Sequence, residues 1–257
     1  MLAELLAGSL QDAQQRREVI STAAVERAAL KREPALDVAA IFAPRERVHI
    51  IAEVKRASPS RGELAAIQDP ADLAAAYERG GASAVSVLTE QRRFRGSLDD
   101  LDAVRARVRV PVLRKEFIGE EYQLLEARAH GADLALLIAA ALDQKTFERL
   151  AEFTRQLGMT PLLEAHSKDE VLRCLDAGEG FVGVNARDLT TFTLHPERFG
   201  ELQSLIPRGT IRVAESAVAT PADVRNYRDS GADAVLIGEA LVTKHDPTAT
   251  LESFLNA

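Results

Sequence analysis

The chain has a single cysteine, Cys174, in 257 residues. An internal disulfide is therefore excluded, and the composition fits a reducing compartment. No stretch approaches the roughly 18 uncharged apolar residues that a membrane span needs. The opening Met1-Leu2-Ala3-Glu4-Leu5-Leu6 lacks a basic segment followed by a long apolar run. No signal peptide is expected, and the simplest location is cytoplasmic. Basic residues are not in excess. The formal net charge is −7, which argues against nucleic acid as a partner. An anionic small molecule stays open, because a local cluster of Lys and Arg overrides the global field. The five histidines show no metal-ligand spacing, so no metal is expected. Low-complexity segments and dividing linkers are also missing.

What remains is ample for a large core: 46% of residues are hydrophobic and 28% charged. From Val48 onward one unit repeats, a short β-branched run followed by a helical pattern. The expected strands are Val48–Lys55, Ser83–Thr89, Pro111–Phe117, Asp133–Ala139, Thr160–His166, Phe181–Asn185, Thr210–Glu215 and Ala234–Ile237. Helical patterns follow them at Pro70–Gly80, Leu98–Val108, Glu120–His130, Gln144–Leu157, Lys168–Ala177, Pro196–Leu205, Pro221–Ser230 and Thr248–Leu255. Ser97, Asp143, Ser167 and Thr220 stand where N-caps belong. Gly80, Gly131, Gly158, Gly178 and Gly231 stand where left-handed C-terminal glycines stop helices.

Strands alternating with helices imply parallel pairing, since each crossover helix returns the chain to the same edge. Eight units close naturally into a (β/α)8 barrel, and the length suits one such domain over residues 1–257. A doubly wound open sheet is the rival, but the glycine-rich turn that announces it does not follow the first strand. Residues 1–47 stand outside the repeat as a helical extension. Leu2–Val25 reads as one helix and Leu36–Phe42 as a second, shorter one. They form either a cap beneath the barrel or a lid over its active-site end.

Residues two apart on a strand share a face. Ile51, Glu53 and Lys55 therefore face one way on the first strand. The third strand aligns Leu113, Lys115 and Phe117, and the fifth Leu162, Glu164 and His166. The sixth aligns Gly183, Asn185 and Arg187, and the seventh Val213 and Glu215. A buried ion costs several kcal/mol unless paired. These charges all gather near strand C-terminal ends, where barrel enzymes keep their sites. Structural ion pairs in the wall are the plainer explanation, yet repeated use of one end suits a shared site better. Lys55, Lys115 and Arg187 balance Glu53, Glu164 and Glu215. The loops after strands seven and eight form the usual phosphate corner of a barrel. Ser216 offers a hydroxyl there. Gly238 allows close backbone approach ahead of a short helix over residues 238–243. Lys55 and the polar turn Ser58-Pro59-Ser60 adjoin it.

The run Ile51-Ala52-Glu53-Val54-Lys55-Arg56-Ala57-Ser58-Pro59-Ser60-Arg61-Gly62 resembles the signature of indole-3-glycerol phosphate synthases. Further motifs follow in the family's order: Thr89-Glu90, Phe94-Arg95-Gly96-Ser97-Leu98, Leu113-Arg114-Lys115-Glu116-Phe117-Ile118 and Leu163-Glu164-Ala165-His166. Gly183-Val184-Asn185-Ala186-Arg187-Asp188-Leu189, Ala214-Glu215-Ser216 and Ile237-Gly238-Glu239-Ala240-Leu241 complete the set. The resemblance implies conversion of 1-(2-carboxyphenylamino)-1-deoxyribulose 5-phosphate to indole-3-glycerol phosphate, carbon dioxide and water. It implies no organic cofactor and no metal. The implied partner is the small phosphorylated substrate, acted on by a monomer, with other pathway enzymes as candidates for association.

Condensation at the ribulose carbonyl calls for a proton-donating cation; loss of hydroxide and of the ring-nitrogen proton calls for an acid and a base. By resemblance, Lys115 is the general acid and Glu164 the general base. Lys55 holds the carboxylate or phosphate of the substrate, or shares the acid duty. Glu53 and Glu215 orient the lysines, and Glu215 also reaches the substrate hydroxyls. Asn185 hydrogen-bonds the substrate, Arg187 supports the ring-side carboxylate, and Phe94 and Phe117 wall the aryl ring. Two departures stand out. Ala217 replaces the usual glycine after Glu-Ser, and alanine resists positive φ. Glu239 replaces the serine of some members, which requires its carboxylate to point away from phosphate.

Elsewhere, Cys174 reads as buried packing. His166 reads as a rim or hydrogen-bonding residue rather than a catalyst. His49, His130, His195 and His245 fall at element ends, where exposure is expected. Arg92, Arg93 and Arg95 form either a substrate-attracting cluster or a solvated loop. Two rivals compete: a phosphoribosyl isomerase, which needs a different acid-base pair on the first strand, and a non-catalytic phosphate-binding barrel. Fold alone separates none of these.

Overall fold

The computed structural model describes residues 1–59, 61–178, 180–189, 191–244 and 246–257. Eight strands run parallel in a closed ring: β1 (His49–Val54), β2 (Ala84–Leu88), β3 (Val112–Lys115), β4 (Leu134–Ile138), β5 (Thr160–Ala165), β6 (Phe181–Asn185), β7 (Arg212–Glu215) and β8 (Ala234–Ile237). β8 closes onto β1 with His49 opposite Ala234 and Ala52 opposite Ile237. This is the expected (β/α)8 barrel. After β1 a short antiparallel ribbon pairs Ala57–Ser58 with Gly62–Glu63. Ser60 lies outside the described residues.

The helices are α1 (Leu2–Val19), α2 (Thr22–Leu30), α3 (Val38–Ile41), α4 (Pro70–Arg79), α5 (Leu98–Arg107), α6 (Glu121–Ala129), α7 (Gln144–Gln156), α8 (Lys168–Asp176), α9 (Arg198–Leu202), α10 (Pro221–Asp229), α11 (Glu239–Val242) and α12 (Pro247–Leu255). Ser97, Asp143 and Ser167 accept from the backbone N–H three residues on, and Thr220 forms a capping box with Asp223. Positive φ at Gly131, Gly158, Gly178 and Gly231 ends four helices as expected. Gly80 differs: it stays right-handed at φ −73°, and the left-handed residue is Gly81 at φ 94°.

Apolar residues divide into two layers. One fills the gap between strands and outer helices, with Val85, Leu124, Phe147 and Phe199 at its centre. The other fills the barrel itself with Ile51, Leu113, Leu134, Leu162, Phe181 and Val213. Two residues further along four of these strands come Glu53, Lys115, Glu164 and Glu215. An apolar floor thus carries a charged layer toward the C-terminal ends, as the period of two requires.

The extension serves both ends of the barrel. α3 and Phe42 plug the bottom: Phe42 is fully buried, edge-on to Phe181 and 4.8 Å from the His49 ring. α2 packs along α6. α1 lies at the top, where Leu5 joins Phe117 in one cluster and Ser9 donates to Glu116 at 3.0 Å. The single helix expected over Leu2–Val25 is broken at Ile20–Ser21, because Ile20 and Ser21 adopt extended conformations.

Candidate active site

The charged layer opens into a cavity of about 520 Å³. It is lined by Glu53, Lys55, Ser58, Phe94, Lys115, Phe117, Glu164, Asn185, Arg187, Glu215, Ser216, Ala217, Gly238 and Glu239. Every residue expected from sequence therefore reaches one space. Arg61, Glu116, Phe192 and Lys244 also line it, with no role foreseen from the sequence. Arg61 falls within the signature run, yet only the ribbon's turn brings it 3.2 Å from Glu239.

At the centre stands a triad of buried ionisable groups from three strands. Lys115 Nζ donates to Glu164 Oε2 at 3.4 Å and lies 3.7 Å from Glu215 Oε2. Burial opposes charge on Lys115, but its carboxylate neighbours, Glu164 foremost, outweigh it and hold the ammonium above its ordinary range. Burial also opposes charge on Glu164, yet Lys115 and His166 hold its carboxyl well below the usual range. Glu215 goes the other way: burial and the neighbouring Glu164 push it well up. Two carboxylates this close do not both ionise. Glu164 is the anion and Glu215 the neutral acid, so the 3.7 Å contact of Lys115 with Glu215 is not a full ion pair. Glu164 Oε1 and both Glu215 oxygens are buried without a hydrogen-bond partner. Buried polar atoms are rarely left so, and the residues that carry them line the cavity.

A second pair sits beside it. Lys55 Nζ lies 2.6 Å from Glu53 Oε1, with Glu53 buried and Lys55 half-buried. Glycines make room for both carboxylates. A Cβ on Gly238 would fall 2.3 Å from Glu53 Oε1, and one on Gly183 would fall 2.1 Å from Glu215 Oε1.

Asn185 is oriented by its neighbours. Its Oδ1 accepts from Ser216 Oγ at 2.8 Å and from the Arg187 N–H at 2.9 Å. That leaves the amide nitrogen for Glu164 and for a ligand. Ser216 and Ala217 follow with φ of 69° and 56°. The conformation that alanine resists is therefore adopted at Ala217. Non-glycine residues in this region carry strain of about 1–2 kcal/mol each and cluster at functional sites.

The apolar wall is built from two loops. Phe94 and Phe117 face each other with centroids 6.1 Å apart. Buried Glu90 fixes the Phe94 loop by accepting the N–H groups of Arg92, Arg93 and Phe94. Arg92 and Arg95 are tied away from the cavity, Arg92 to Asp12 of α1 and Arg95 to Glu63. The basic run is thus a tethered loop. Cys174 is buried as expected. His49 is also buried, bonded to Ser83 and the Ala43 carbonyl beneath the barrel, against the exposure expected of it. His195 and His130 are both partly exposed, and His245 lies outside the described residues. His166 is not at the rim: its side chain is 9% exposed, between two carboxylates.

The family model for indole-3-glycerol phosphate synthase matches residues 2–254. The chain belongs to the indole-3-glycerol phosphate synthase family. A synthase of that name from Leifsonia xyli subsp. xyli is 59% identical over 254 residues, covering 99% of this chain and 97% of that one. Another, from Mycolicibacterium gilvum, is 53% identical over 258 residues, covering 100% and 94%. A solved thiamine phosphate pyrophosphorylase from Pyrococcus furiosus superposes with a TM-score of 0.60 at 14% identity, covering 80% of this chain and 93% of that one. It shares the fold only. Among the described residues no helix is long and apolar enough to cross a membrane, and no cluster of His, Cys, Asp and Glu is arranged to hold a metal ion.

Proposed function

We propose that this chain, as a single-domain cytoplasmic monomer, closes the indole ring of 1-(2-carboxyphenylamino)-1-deoxyribulose 5-phosphate with loss of carbon dioxide and water. The observation that carries the reading is the meeting of Lys115, Glu164 and Glu215 in a cavity walled by Phe94 and Phe117, in a chain of this family.

The aryl ring occupies the slot between the phenylalanines, and the phosphate lies toward Ser216, Ala217 and Gly238. The ring carbon bearing the carboxylate attacks the ribulose carbonyl. Lys115, held protonated by its carboxylate neighbours, gives its proton to the developing alkoxide. Carbon dioxide leaves and the aryl ring regains aromaticity. The hydroxyl then departs as water with a proton from the Lys55 ammonium, or from Lys115 once it has regained a proton from solvent. Glu164, kept ionised, accepts the proton released as the indole forms. Glu53 holds the Lys55 ammonium in place, and Arg187 supports the ring-side carboxylate. Glu215 enters as a neutral acid beside Glu164, able to donate to substrate hydroxyls.

The test is turnover of this substrate, read as indole fluorescence, in the wild type and in Lys115→Ala. Wild-type turnover is expected, with kcat lower in the variant by about 10²–10⁴-fold. Near-normal kcat in the variant would move the acid role to Lys55. No turnover by folded wild type would remove the synthase activity.

A further inference from the structure

His166 has no role in the steps above and does not line the cavity. Its ring nevertheless lies between two carboxylates. Nδ1 is 3.0 Å from Glu170 Oε2, and Nε2 is 3.3 Å from Glu164 Oε1. Glu170 is itself fixed in the first turn of α8. Its Oε2 also accepts the His166 backbone N–H at 2.8 Å, and its Oε1 accepts the Ser167 hydroxyl at 3.2 Å. The imidazole is thus tethered through one nitrogen to a helix end and presents the other to Glu164.

The two oxygens of Glu164 are not equivalent. Oε2 accepts from Lys115, whereas Oε1 has no hydrogen-bond partner, and neither does His166 Nε2. The 3.3 Å contact is therefore an ion pair without an aligned hydrogen bond. A cation therefore stands beside Oε1, on the side of the carboxylate away from Lys115's contact with Oε2.

We propose that His166 is a positioning residue: its imidazolium, anchored by Glu170, keeps Glu164 ionised and oriented to take the substrate proton. The inference rests on the reading of Glu164 as general base. Burial disfavours the imidazolium, but Glu164 and Glu170 outweigh it and raise its pKa to about 9. The ring is then protonated on both nitrogens at neutral pH, so it acts by charge and contact and accepts no proton itself. The other groups facing Glu164 are Lys115 from β3, Asn185 from β6 and Glu215 from β7. Lys115 and His166 together offset the Glu215 carboxyl and the burial that favour a neutral Glu164.

The test is the pH dependence of kcat and KM for the wild type, Glu164→Gln, His166→Gln, Glu170→Gln and the His166/Glu170 double variant. Denaturant melts establish that each is folded. In His166→Gln, kcat is expected to fall roughly tenfold with KM within about threefold, because base catalysis is weakened and binding is not. The acidic limb of its profile should move to higher pH, since a cation beside Glu164 is gone. Glu170→Gln should move both readouts the same way by less, and the double variant should match His166→Gln alone. An unmoved acidic limb in folded His166→Gln, or additive effects in the double variant, would overturn the proposal. If Glu170→Gln alone folds, an unmoved limb in that variant has the same force. Near-wild-type kcat in Glu164→Gln would instead remove the base assignment and the proposal with it. Absent wild-type turnover would remove the activity.

Discussion

Gly183 and Gly238 are small because carboxylates occupy the space their side chains would take. In each case the nearest atoms belong to the far end of a flexible side chain, so an added methyl moves Glu215 or Glu53 rather than the backbone. Gly183→Ala and Gly238→Ala are therefore expected to fold with little loss of stability. They should lose activity, since misplacing a catalytic group by about 1 Å costs up to about 10²-fold. Steady-state kinetics beside a thermal melt checks both halves. Ala217 presents the converse case. At φ 56° it occupies a conformation that glycine adopts without strain. Ala217→Gly relieves about 1–2 kcal/mol and adds unfolded-state entropy of about 0.4–1 kcal/mol, for a net gain of between about 0 and about 1.6 kcal/mol. A urea titration reads the stability. A fall in KM for the phosphorylated substrate would show that the strain also reached the phosphate corner.

The extension divides into pieces with separate duties. Phe42 seals the floor of the barrel, far from the charged layer. Phe42→Ala should cost about 3–5 kcal/mol of stability yet leave KM unchanged in the folded fraction. Arg16 of α1 forms paired bonds with Glu126 of α6 at 2.5 and 2.8 Å, and Glu126 is shared with the fully buried Arg114 of β3. Removing Arg16 leaves Glu126 with one cation. Arg16→Ala is expected to cost about 2–4 kcal/mol, read by denaturant unfolding. The strands and outer helices were legible because local signals mark them: β-branched runs, capping side chains and left-handed glycines. The charged faces of β1, β3, β5, β6 and β7 were legible because a period of two needs no knowledge of tertiary structure. The placement of α1 was not. It depends on pairs such as Ser9 with Glu116, 107 residues apart, which leave no mark on either segment alone. The same holds for His49, whose burial depends on Phe42 closing beneath it. His166 read as a rim or hydrogen-bonding residue; the bond is to Glu170, which reaches back from the next helix, and only the fold shows Glu164 on its other side.

For the molecule as a whole, His166 should shape stability against pH. Its pKa is about 9 in the folded state, against 6.5 for a free histidine side chain in water. The stabilisation it brings is complete below pH 6.5 and is lost as pH rises through 9. The difference amounts to about 3 kcal/mol. Unfolding free energies measured at about pH 6.5 and about pH 9.5 should therefore fall across that window in the wild type. In His166→Gln the decline should be shallower by that amount. An equal decline in both proteins would show that other groups titrate there.

The plug beneath the barrel also has a consequence for the order of assembly. Phe42 sits against His49 of β1 and Phe181 of β6, and shares one cluster with Val38, Val213 and Ala234. Val38 and Phe42 emerge from the ribosome early, but their seat is complete only when Ala234 has been made. While the intervening chain is synthesised, the segment waits with its apolar face uncovered. Contacts of such long range slow folding and leave half-made chains open to aggregation. A segment translated ahead of all eight strands is thus among the last to find its place.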